Sequence, residues 1–133
     1  SAAARYRELL ADIGPVLPQS TAGSEPVWHL FVIRTGGRDE LRRRLEASGI
    51  ETGIHYPLPL HLQPAFLHRA GGEGSLPVSE EAARSVLSLP LFPEITDGQL
   101  RRVRDALVVH VASSTAPGRP SGRRREATGR SPV

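Results

Sequence analysis

The 133-residue chain has no cysteine, no methionine, no lysine and no asparagine. Without cysteine there is no disulfide and no thiolate nucleophile or metal ligand, which fits a reducing compartment. Without lysine there is no side-chain amine, so no side chain here can form a Schiff base with a carbonyl cofactor or substrate. All 17 strongly basic side chains are therefore arginine. Losing lysine and asparagine together, beside abundant Arg and Ala, reads as biased base composition as much as functional choice. No apolar run approaches the roughly 20 residues of a membrane helix, and no export-signal pattern opens the chain. It starts Ser1-Ala2-Ala3-Ala4 rather than with Met, so the expectation is a chain processed or cut from something longer.

What charge there is lies unevenly. Ser1 to Ala112 holds 12 Arg against 13 acidic residues, whereas Ser113 to Val133 holds 5 Arg against Glu126 alone. The first part is nearly neutral. The second, built of Ser, Pro, Gly, Thr and Arg with little to bury, reads as a disordered basic tail. Arg119 and Arg123-Arg124-Arg125 come without aromatics or a partner fold, so a solvated terminus is preferred to nucleic-acid binding.

In the remaining 112 residues, apolar spacing predicts a helix over Ala2 to Ile13 (Tyr6, Leu9, Leu10, Ile13), ended by Gly14-Pro15. Val27 to Thr35 reads as a strand apolar on both faces, with His29 an ordinary strand histidine. Arg38 to Ser48 reads as an amphipathic helix with Leu41 and Leu45 inward and Arg42-Arg43-Arg44 solvated, closed by Gly49. Ile50 to Tyr56 reads as the next strand, giving a β-α-β unit. A short helix is expected over Pro64 to Ala70, then a loose excursion at Glu73 to Leu76. A helix N-capped by Ser79 follows, with Glu80 and Glu81 at its positive end. Val86 to Pro93 reads as an edge or bulged strand because of Pro90. Thr96 and Gln99 form a capping box for a last helix carrying Leu100, Val103, Leu107 and Val111 inward. The sum is an α+β fold, a small antiparallel or mixed sheet of about three strands covered by helices.

The chemistry concentrates in Gly53-Ile54-His55-Tyr56-Pro57-Leu58-Pro59-Leu60-His61-Leu62-Gln63-Pro64. Pro57, Pro59 and Pro64 force a stiff extended path after Tyr56 and present imidazole, phenol and amide groups on it. The plainer possibility, a proline turn with hydrogen-bonded histidines, stands beside a binding loop. His55, His61 and His68 could suggest a metal, but no acidic or cysteine partner sits at helical ligand spacing, so no metal site is assigned.

Taken in order, His29 to Arg34, Arg38-Asp39-Glu40-Leu41, Gly49 to Thr52, His55 to Pro64, Leu76 to Glu80 and Leu87 to Pro93 together resemble the C-terminal domain of the DegT/DnrJ/StrS aminotransferases, over about Ala4 to Leu107. These are pyridoxal-phosphate enzymes of fold type I that aminate a keto sugar carried on a nucleotide. The resemblance implies that residues 1–14 are a helix linking to a missing N-terminal cofactor domain, that 15–112 are the small domain, and that 113–133 are the tail. It implies no catalytic residue here, since the cofactor-bearing lysine belongs to the missing domain. His55, Tyr56 and His61 become candidates for contacting the nucleotide sugar, with Arg34 for its phosphate. Pyridoxal 5'-phosphate would serve the full-length enzyme without being held covalently by this chain, glutamate would be the amino donor, and a homodimer in the cytoplasm is implied. The fragment alone would be inactive. The alternative is a stand-alone, non-catalytic binding or accessory domain on the same fold. A fragment should expose an apolar patch on the first helix (Tyr6, Leu9, Leu10) and the sheet, where a larger domain or a dimer partner packs, and a stand-alone module would cover it.

Overall fold

A computed structural model describes residues 1–69 and 71–114; the rest of the basic tail lies outside the described residues. The elements run α1 (Ala2–Leu10), β1 (Phe31–Arg34), α2 (Arg38–Ala47), a 3-10 turn (Leu60–Leu62), α3 (Pro77–Ser85), β2 (Val86–Leu89) and α4 (Asp97–Ser114). The α+β reading holds, but the sheet is smaller than three strands. Among the described residues it is one antiparallel pair, Phe31 opposite Leu89 and Arg34 opposite Val86.

Each expected strand shrinks for a visible reason. The stretch from Val27 keeps only Phe31–Arg34, because Trp28 takes a left-handed backbone (φ 53°) that no strand accommodates. The stretch from Ile50 keeps a single bridge, at Gly53 against Ser88, since the prolines beyond Tyr56 cannot feed a ladder. Val16 makes a matching bridge to Arg34 on the outer side of β1. Strand β2 thus lies between β1 and Gly53 rather than at an edge, because it ends at Leu89, one residue before Pro90. Both flanking segments run antiparallel to β2 and hence parallel to each other, the direction a helical crossover through α2 imposes.

The helices follow their apolar spacing. In α1, Ala3, Tyr6 and Leu10 are buried, and α1 and α2 both pack on α4. The apolar patch expected on the first helix is therefore absent: Tyr6 and Leu10 are inaccessible and Leu9 is partly buried against the core. Tyr6 stacks on Phe31 at 4.9 Å, and its hydroxyl donates to the Pro90 carbonyl at 2.9 Å. Burial pushes that phenol well above its ordinary pKa. Leu41, Leu45, Leu87 and Leu107 complete the fully buried centre with Ile33.

The termini confirm some capping and correct some. At α4 the Thr96 N–H donates to Gln99 Oε1 (2.8 Å) and the Gln99 N–H to Thr96 Oγ1 (3.3 Å), the capping box expected. Helix α3 starts at Pro77 with Leu76 as N-cap rather than at Ser79; proline suits the first helical position because its missing N–H would be unpaired there. The expected helix at Pro64 is a series of turns, with Phe66 N–H on the Gln63 carbonyl at 2.8 Å. Arg38, largely buried, donates to the carbonyls of Ala83 (3.2 Å) and Val86 (3.1 Å), tying the start of α2 to the junction of α3 and β2.

Candidate functional site

The site begins at the bridge beside β2. The Gly53 N–H donates to the Ser88 carbonyl (3.1 Å) and the Ser88 N–H to the Gly53 carbonyl (2.7 Å). Leu87 and Leu89 belong to the core, so the alternation of a strand turns Ser88 to the opposite face. There its hydroxyl, on a residue only 4% exposed, lies 2.9 Å from His55 Nδ1. The His55 ring rests on Gly53: a Cβ at that glycine would stand 2.5 Å from the ring carbon Cε1. Tyr56 follows through a cis peptide, is 71% exposed, and meets the imidazole edge-on, with centroids 5.6 Å apart and planes at 78°. His55 opens on a cleft of about 580 Å³ whose wall also includes Phe92, Gln99 and Arg102. The Arg102 guanidinium is engaged there, donating to the Ser48 carbonyl that ends α2 (2.6 Å).

His61 has a different setting. It sits on the 3-10 turn after Pro59, is 6% exposed, and its Nε2 lies 3.0 Å from Glu80 Oε1. The same oxygen accepts the N–H groups of Gly74 (2.8 Å) and Leu76 (3.4 Å). These donors, His61 first, hold the Glu80 carboxyl below the ordinary carboxylate range. An ionised carboxylate only accepts, so Nε2 of His61 carries the proton in this bond. The expected loose excursion before Leu76 is thus pinned by Glu80.

Of the four residues expected to meet substrate, the structure brings together two, His55 and Tyr56. Arg34 is exposed but lies at the far end of β1, with β2 between it and Gly53 and two residues further along, thus about 12 Å off at the usual strand spacing and rise. His61 is buried on Glu80. Sequence reasoning missed Ser88, Gly53 and Glu80. Ser88 had left a trace, as a lone hydroxyl inside the apolar run Leu87 to Leu91, where a buried polar group needs a partner. Among the described residues no group of three or more His, Asp or Glu could hold a metal, and no helix is long and apolar enough to cross a membrane.

Helices on a small antiparallel pair, with a proline-rich polar loop leaving one edge of the sheet, define the class: a small α+β domain. Residues 1–108 match the DegT/DnrJ/EryC1/StrS aminotransferase family, and the chain belongs to it. It is 51% identical over 106 residues to the dTDP-3-amino-3,4,6-trideoxy-alpha-D-glucose transaminase of Streptomyces venezuelae, covering 79% of this chain and 28% of that enzyme. It is 45% identical over 104 residues to the pleiotropic regulatory protein of Geobacillus stearothermophilus, covering 76% of this chain and 28% of that protein. The crystal structure of S. venezuelae DesV in complex with a ketimine intermediate superposes with a TM-score of 0.78 at 49% identity, covering 82% of this chain and 30% of that one. The chain therefore spans under a third of the length of these relatives. The family's aminotransferases use pyridoxal phosphate, and the residues present do not fit that group by themselves. With no lysine anywhere in the sequence, the chain has no side-chain amine to hold it covalently.

Proposed function

We propose that this chain is the small-domain portion of a pyridoxal-phosphate-dependent aminotransferase that moves an amino group, with glutamate as donor, onto a keto sugar carried by a nucleotide. The observation that carries the reading is the pairing of family membership over residues 1–108 with an exposed, fixed His55–Tyr56 pair beside an open cleft. In this reading the cofactor and its lysine come from a larger domain supplied outside this chain, and the complete enzyme works as a cytoplasmic homodimer. His55 and Tyr56 hydrogen-bond sugar hydroxyls or phosphate oxygens. Arg34 serves only a substrate long enough to reach past β2. His61 acts at one remove, holding the proline loop rather than touching the sugar.

The test is a chimera. Residues 1–108 replace the homologous stretch of the S. venezuelae transaminase, which supplies its own lysine, and amination of its dTDP-linked keto sugar is followed with glutamate as donor. Turnover that falls at least tenfold on His55→Ala or Tyr56→Phe is the expected result. A folded, cofactor-loaded chimera with no turnover would overturn the proposal. One observation favours the second reading, a self-sufficient non-catalytic domain: α4 covers the apolar face of α1 without help from another chain. The inactive chimera is the outcome that reading anticipates.

A further inference from the structure

We infer that Ser88 and Gly53 form a built cradle that fixes the His55 ring, engaging Nδ1 and leaving Nε2 as the only ring nitrogen open to a ligand. The inference deepens the proposed role of His55 and rests on it only for the ligand's identity. Three independent features converge on one imidazole.

The first is the hydroxyl. Ser88 is 4% exposed and its Oγ lies 2.9 Å from Nδ1, so inside the protein it has this ring as its partner rather than solvent. A buried hydroxyl left unpaired is costly, which keeps the contact made. The second is the backbone. Ser88 is held on both sides, opposite Val32 in β1 and by two hydrogen bonds to Gly53, so Oγ has little freedom to follow the ring elsewhere. The third is the floor. With no Cβ at Gly53, the ring settles within 2.5 Å of the place that atom would take, closer than any side chain would allow. A strand histidine with a merely satisfied hydrogen bond needs the first feature and neither of the others. Ser88 and Gly53 are positioning residues: each acts through His55, and their removal leaves the imidazole in place but free to turn.

The experiment uses the 133-residue chain with ring-15N histidine. Long-range proton–nitrogen spectra report the tautomer and hydrogen bonding of each ring, with the exposed His29 as internal reference. In the unsubstituted chain His55 is expected to show a single tautomer with a nitrogen shift pattern distinct from that of His29. Ser88→Ala should move His55 toward the His29 pattern, and Ser88→Thr, which keeps the hydroxyl, should restore it. Gly53→Ala is the second route: its new Cβ displaces the movable end of the His55 side chain without touching Ser88, and should produce the same change. This keeps the test valid if Ser88→Ala fails to fold. His55 shifts equal to those of His29 in the unsubstituted chain, or unchanged in the folded variants, would overturn the inference. Titration with the dTDP-linked keto sugar separates the two claims. A cradle signature with no perturbation of Nε2 removes the ligand role and leaves the cradle standing.

Discussion

Two histidines six residues apart on one loop have opposite fates. His55 lies at the last residues of an extended segment, rests its ring on Gly53 and shares Nδ1 with Ser88, yet remains exposed. His61 lies on a 3-10 turn, is sealed from water, and donates a hydrogen bond to a carboxylate that also gathers two backbone N–H groups. The difference teaches how the loop is divided. The side near β2 presents a group to the outside, while the side near α3 holds the path in place. Glu80 works as the knot there, joining the 3-10 turn, the turn at Gly74 and the start of α3 through one oxygen.

The comparison breaks most severely at His61. His61→Ala removes a buried ring and takes from Glu80 its side-chain donor, leaving a buried carboxylate short of partners; the expected loss is about 2 kcal/mol of unfolding free energy. Urea denaturation checks it, as a lower midpoint at unchanged slope. A loss below about 0.5 kcal/mol would mean that the knot is ornamental and that His61 is free for another role.

Acid sharpens the same contrast. The Glu80 carboxyl is held below its ordinary range by His61 and by the N–H groups of Gly74 and Leu76. A group with a depressed folded pKa stabilises fully above its unfolded value, near 4.3, and that stabilisation is lost as pH falls through the folded value. Unfolding free energy should therefore hold steady down to about pH 5 and decline below about pH 4. Asp97, lowered by Arg5 and Arg101, and Glu40, lowered by Arg44 and Arg43, add declines of the same sign. Those pairs are solvent-exposed, so concentrated salt should flatten their share and spare that of Glu80. Glu80→Gln should remove the salt-resistant part; an acid limb that this variant leaves unaltered would place the effect elsewhere.

How much of this could be read in the residues follows the same divide between local and distant. The helices were legible because Tyr6 and Leu10, or Leu41 and Leu45, declare a face within one turn or two. So was the α4 capping box, since Thr96 and Gln99 are three apart. The family was legible too, because six blocks recur in order. The strands were overread: β-branched and aromatic residues from Val27 to Thr35 resemble a strand, and nothing local shows that Trp28 turns left-handed. The site was half legible. His55 and Tyr56 stand out in a proline-rich run, but Ser88 lies 33 residues from His55 and Glu80 lies 19 from His61. No periodicity reports a partner at such separations. It is the bridge between Gly53 and Ser88 and the fold-back before α3 that create the two environments, and both are tertiary.

The smallest expected effect on stability is the most telling for function. His55 is exposed and its ring hydrogen-bonds Ser88, so His55→Ala should change unfolding free energy by no more than about 0.5 kcal/mol, the range of ordinary surface substitutions. Some of that change comes from Ser88, whose hydroxyl gains access to water once the ring above it is gone. A stability-neutral residue held this firmly is one whose geometry serves something other than folding, since a ring kept only for packing would register in the denaturation curve. Should His55→Ala instead cost as much as His61→Ala, the two sides of the loop would be equivalent supports and the exposed imidazole would lose its claim to a ligand. Paired urea curves of the two variants, taken at neutral pH, decide between these.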